Sequence, residues 1–222
     1  TDIDDDISAF ISNPMEHAEA SKIALFSIAD YAWNMDAYKS DASWRRAVRY
    51  LMPGHAAALQ VFASHNSDLG GNEHDFRREE SEQIRPALER LLDAYCREGK
   101  REVAAASAVT EECERMIASA DLLLASDENP ALIKEISPWL IQFKLLGEYG
   151  REVLCMLAAQ CDGKKTELEK AASHAKALQV LMKKIDATYN QNGFQPGVKT
   201  GSCHLKPAFD RLYQEVVQRT GK

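Results

Sequence analysis

No stretch of this chain is both long enough and uncharged enough to cross a membrane. Cysteine is sparse and badly spaced for structural chemistry. Cys96, Cys113, Cys155, Cys161 and Cys203 make an odd count with no Cys-x-x-Cys pair, which argues against a disulfide framework and a zinc site. Basic charge is also short: the net charge of −7 lacks the clustered Lys and Arg that nucleic-acid binding requires. No glycine-rich phosphate loop follows a strand, and no Gly-x-Ser-x-Gly nucleophile turn occurs. Strand character is nearly absent, and only Ile7 to Ile11 alternates briefly. The chain opens on Thr1 without an initiator methionine, which reads as a piece cut from something larger, so no compartment is read from this end.

What remains is a 222-residue acidic chain, 45% hydrophobic, able to bury a good core. Asn13-Pro14 has the form of a helix N-cap followed by proline at the first helical position. The helix it starts is apolar almost all round from Ile23 to Trp33 and therefore needs cover on most sides. Ser43 to Met52 and His55 to Ser64 read as short helices. Trp44, Val48 and Leu51 sit at helical spacing there, making Arg45, Arg46 and Arg49 a wet face. Glu80 to Arg97 repeats Ile84, Leu88, Leu91 and Tyr95, with Pro86 either kinking it or starting its second part.

Val109, Cys113, Met116, Ala120 and Leu123 alternate spacings of four and three. Leu168, Ala171, Ala175, Leu178, Met182 and Ile185 continue the seam, as do Leu205, Phe209, Leu212 and Val216. Such seams on several long helices predict a bundle of nearly aligned helices. Asn129-Pro130 and Ser137-Pro138 both have the form of a helix start, the second opening a helix to about Cys161. Cys113 and Cys155 lie among apolar neighbours and are expected in the core. Tyr189 to Cys203 reads as a long Gly/Pro/Asn-rich loop.

The run from Asn13 to Asn34 closely resembles the end of the catalytic barrel in glycoside hydrolase family 84, the β-N-acetylglucosaminidases that include O-GlcNAcases. His65-Asn66-Ser67-Asp68-Leu69-Gly70 and Phe76-Arg77-Arg78-Glu79-Glu80-Ser81 resemble the next block of that family. Ile136-Ser137-Pro138-Trp139 with Gln142-Phe143-Lys144-Leu145 resembles its later helical region. So does Asn190-Gln191-Asn192 with Gln195-Pro196-Gly197-Val198-Lys199-Thr200. The resemblance implies an all-α helical bundle preceded by one strand and one helix of a (β/α)8 barrel. We expect residues 1–38 to be the barrel remnant and residues 39–222 the bundle.

It also implies that the whole protein removes β-linked N-acetylglucosamine by retaining, substrate-assisted hydrolysis, an activity often catalogued as hyaluronoglucosaminidase. In that chemistry the substrate's acetamido oxygen attacks the anomeric carbon while two adjacent aspartates polarise the acetamide and protonate the leaving oxygen. Asp4, Asp5 and Asp6 imitate such a pair. However, Asp6 stands only seven residues before Asn13, whereas the family's pair lies several strands upstream, so no catalytic residue is expected here.

Asn13 is the one expected site residue. The resemblance implies that its amide meets the sugar at the C-terminal end of a barrel strand. Its partners would be the upstream barrel and an N-acetylglucosamine-bearing glycan or glycoprotein, in a secreted or periplasmic bacterial protein. Residue chemistry also leaves open a bundle used for dimerisation or protein docking, including a homodimer. No cofactor is called for. The weak metal candidates are Glu167 with His174, and the loop of His65, Glu73, His74 and Asp75. Neither forms the paired Glu-x-x-His pattern of a di-iron bundle, and Glu167 with His174 reads as a solvated face.

Overall fold

The computed structural model describes residues 9, 11–15, 17–67, 79–192 and 195–220. Eight helices run through these residues: α1 (Ala18–Trp33), α2 (Ser40–Leu51), α3 (Ala56–Ser64), α4 (Arg85–Glu98), α5 (Val103–Leu124), α6 (Pro130–Cys161), α7 (Lys165–Tyr189) and α8 (Leu205–Thr220). A small antiparallel hairpin, β1 (Asn190–Asn192) with β2 (Gln195–Pro196), interrupts the loop expected after Tyr189.

The predicted seams face one core. Val109, Cys113, Met116, Ala120 and Leu123 of α5 are fully buried, as are Leu205, Phe209, Leu212 and Val216 of α8. On α7, Leu168, Ala171, Ala175 and Met182 are buried and Leu178 packs at the core's edge, while Ile185, the last position of the expected seam, is only half-buried and lies outside the core. Helix α6 forms the axis of the fold, packing against α1, α5, α7 and α8. Two glycines bring its neighbours close. A Cβ on Gly147 would lie 2.9 Å from the Cys113 carbonyl, and one on Gly150 would lie 2.5 Å from the Phe209 ring. Arg45, Arg46 and Arg49 project outward from α2 while Val48 and Leu51 are buried, as their spacing predicts.

Four local expectations need correction, and the choice left open at Pro86 is decided. Ser137-Pro138 does not start a helix, because α6 runs unbroken from Pro130 and carries Pro138 inside it. The proline's missing N–H would leave the Lys134 carbonyl without its helical donor. The Ser137 hydroxyl donates to that carbonyl at 3.3 Å instead, and the helix continues. Asn129 is the true cap, its side chain accepting from Leu132 N at 3.1 Å. Pro86 sits in the first turn of α4, so it opens that helix rather than kinking it.

Cys155 is exposed rather than in the core. Val153, Leu154, Met156 and Leu157 occupy the inward faces of α6, and the helical turn sends Cys155 outward between them. Asn13 and Pro14 do not cap α1, whose N-cap position is His17 and has no side-chain cap bond. The donors there are taken by a residue of another helix, described below. Of the strand expected over Ile7 to Ile11, Ala9 and Ile11 form no strand, since a ladder needs a neighbouring strand. The rest of that segment lies outside the described residues.

Helix α1 lies along α2 and one end of α6. Ser21 is its one buried residue, whereas Trp33 is 90% exposed. The cover that its apolar sequence calls for is therefore only partly supplied by the bundle.

Candidate functional site

Asn13, Pro14 and Met15 are exposed and lie outside regular secondary structure just ahead of α1. The turn is nevertheless fixed from behind. The Glu135 carboxylate of α6 accepts from Glu19 N at 3.1 Å (Oε1) and 2.9 Å (Oε2), and from Ala20 N at 3.1 Å (Oε2). Free N–H groups and the positive end of the helix dipole make a helix start a favourable place for a carboxylate. One turn further along α6, Trp139 meets the His17 ring edge-on, with centroids 5.2 Å apart. The Ser21 hydroxyl donates to the Met15 carbonyl at 3.3 Å, closing the turn onto the helix.

Glu135 was not legible as a site residue. A long helix opening at Ser137-Pro138 leaves Glu135 in the short stretch between the two candidate helix starts, off the face of that long helix. The only signal available was Glu135 four residues ahead of Trp139, which places both on one side of a continuous helix.

The other candidates divide clearly. Asp4, Asp5 and Asp6, and Glu73, His74 and Asp75, lie outside the described residues. Glu167 and His174 are exposed, with Glu167 near Lys164 at 3.5 Å and His174 Nδ1 3.7 Å from Glu152. His65 is buried in a polar chain, with Nδ1 2.8 Å from the Ser81 hydroxyl and Nε2 2.6 Å from Glu112 Oε1. Burial acts to raise the Glu112 pKa, but the His65 hydrogen bond and charge, with Arg115, prevail and hold it below the ordinary range. This Ser-His-Glu sequence is closed to substrate, since His65 and Ser81 are each 2% exposed and Glu112 is 5% exposed. It joins α5 to the segment after α3 and serves packing. Among the described residues, no group of three His, Cys, Asp or Glu side chains is arranged to hold a metal.

A cleft of about 490 Å³ opens between α6, α7 and the start of α8, lined in part by Gln142, Asp186, Thr200 and Asp210. The Gln142 amide donates to the Met182 and Val198 carbonyls, while its Oε1 and the Thr200 hydroxyl lack hydrogen-bond partners.

Two family models match the chain in tandem. That for a beta-N-acetylglucosaminidase covers residues 1–64, and that for the bacterial GH84 post-catalytic domain covers residues 80–213. Among solved structures, CpGH84D is 27% identical with a TM-score of 0.77, over 93% of this chain and 34% of that one. CpGH84B is 22% identical with a TM-score of 0.79, over 95% of this chain and 34% of that one. A mutant of the Thermobaculum terrenum O-GlcNAc hydrolase is 20% identical with a TM-score of 0.66, over 95% of this chain and 42% of that one. The chain thus spans well under half the length of each.

Proposed function

The chain belongs to the bacterial glycoside hydrolase family 84 post-catalytic domain family, and on that premise we propose that it is the C-terminal part of a retaining β-N-acetylglucosaminidase. The observation that carries this reading is the order of the two family matches, enzyme end first and helical domain second, along one folded unit. In this reading the two catalytic aspartates lie upstream, the substrate's acetamido group is the nucleophile, and the piece alone does not hydrolyse glycosides. The Asn13 amide hydrogen-bonds hydroxyls of the bound N-acetylglucosamine. The exposed faces of α1, including Trp33, pack on the upstream barrel. We place the boundary near residue 38, because α1 buries little while Ala47, Val48 and Leu51 of α2 enter the bundle core. The fragment should hydrolyse a chromogenic N-acetylglucosaminide only at background, and joining it to its upstream sequence should restore turnover. Turnover by the fragment that is lost when Asp5 and Asp6 become Asn would overturn the reading.

The second reading is a bundle used for self-association. It is favoured by the exposed apolar side chains Ile11, Met15, Trp33 and Tyr50 near α1, and Val180, Leu181 and Val217 on α7 and α8. Sedimentation at high micromolar concentration tests it. A dimer that survives trimming to about residue 38 would assign the contact to α7 and α8, and a monomer would remove this reading.

A further inference from the structure

Asn13 is exposed, and the helix behind it has no local side-chain cap. The Ser21 hydroxyl ties Met15 back to the helix from within the segment. Two further holds come from the helical domain: Glu135 accepts from the Glu19 and Ala20 N–H groups in the first turn of α1, and Trp139 packs on His17. Asn13 is two residues from Met15, a reach of roughly 7 Å at full extension, so a shift of the helix start passes directly to its amide. The similarity to CpGH84D extends over 93% of this chain, so the bundle arrangement including α6 is part of a shared fold.

We propose that Glu135 is a positioning residue for the sugar site. By capping α1 from α6, it sets where the Asn13 amide meets the sugar, and the helical domain thereby takes part in substrate recognition. This rests on the reading of Asn13 as a sugar-contacting residue. Its physical basis is that hydrogen bonds to a substrate depend steeply on placement, a 1 Å error costing as much as roughly 100-fold. Glu135 touches no substrate and acts through the backbone of Glu19 and Ala20.

The test is a double-mutant cycle in the protein joined to its upstream sequence, assayed with a chromogenic N-acetylglucosaminide well below the melting temperature. Glu135→Ala should lower kcat/KM about tenfold, and Glu135→Gln, which keeps an acceptor oxygen at the same reach, should recover part of that. In an Asn13→Ala background, Glu135→Ala should add nothing further, because the amide it places is gone. Leu212→Ala, a cavity in α8 far from the turn, should leave kcat/KM unchanged while lowering the melting temperature. Fully multiplicative losses at Asn13 and Glu135, or an equal loss in Leu212→Ala, would overturn the proposal. Amide exchange separates it from the reading beneath it. Faster exchange at Glu19 and Ala20 in Glu135→Ala, with Asn13→Ala fully active, would keep the cap, remove the sugar contact, and with it this proposal.

Discussion

Gly150→Ala sets two effects of opposite sign against each other. Alanine is favoured over glycine inside a helix by about 1 kcal/mol, so propensity alone predicts a more stable protein. The packing predicts the reverse. The added methyl would stand 2.5 and 2.6 Å from the Phe209 ring and 2.8 Å from Cys113 Sγ, where carbon contacts relax near 3.5–4.0 Å. Phe209 and Cys113 are both fully buried, so neither has space to swing away. Helix α8 would have to retreat by about 1 Å, loosening the edge-on contact of Phe209 with Tyr149 as well. Overpacking costs about 1–3 kcal/mol, and three contacts under 3.0 Å to fully buried groups put this site in the upper part of that range, about 2–3 kcal/mol, leaving a net loss of about 1–2 kcal/mol after the propensity gain. For a chain of this size that lowers the melting temperature by roughly 2–8 °C.

Two controls isolate the cause. Gly163→Ala meets nothing within 4 Å and carries only the left-handed backbone cost at φ +69°. Phe209→Leu in the Gly150→Ala background should lose less than the sum of the single losses, because the smaller side chain makes room. A Gly150→Ala protein melting at or above the unsubstituted chain would refute the close approach of α6, α5 and α8.

Thr200→Val should be neutral or stabilising by up to about 1 kcal/mol in urea unfolding, since it removes a buried hydroxyl that has no partner. A clear loss would mean the hydroxyl is bonded. Glu112 should contribute to acid stability. Its folded pKa lies below the ordinary 4.5, so its contribution is full above that value and is lost as pH falls through the lower folded one. Melting curves from about pH 3 to pH 7 should show a shallower acid limb in Glu112→Gln than in the unsubstituted chain. Identical acid limbs would show that His65 and Arg115 do not hold the carboxylate charged.

The bundle was readable because burial imposes a period, and the seams of α5 and α8 fall in the core position by position. The caps were readable only where they are local. Asn129 sits directly before its helix, and both the residue and its role follow from neighbours in the sequence. Asn13 has the same local form yet does not act as a cap, because Glu135, more than a hundred residues away, takes the donors. Glu80 works in the same way at the start of α8, accepting from Cys203 N at 2.7 Å, His204 N at 3.0 Å and Leu205 N at 3.3 Å. Glu128 does so at the turn into α3, accepting from Gly54 N at 2.7 Å. A rule that reads three or four residues at a time cannot see such partners. Ser137-Pro138 misled for the opposite reason: its local pattern was sound, but packing on several sides kept α6 continuous through it.

These distant carboxylates also bear on the order in which the chain folds. Helices α5 and α6 carry their own caps, Glu102 accepting from Ala105 N and Asn129 from Leu132 N. Either can start on contacts three residues long. The starts of α1 and α8 and the turn into α3 gain their carboxylates only after loops of 116, up to 125 and 74 residues have closed. Contacts of such sequence separation form late. Pulse-labelled hydrogen exchange during refolding should therefore protect α5 and α6 first, with Glu19, Ala20 and Leu205 among the last amides to slow. Glu80, Glu128 and Glu135 would then set when the outer helices begin, as well as where.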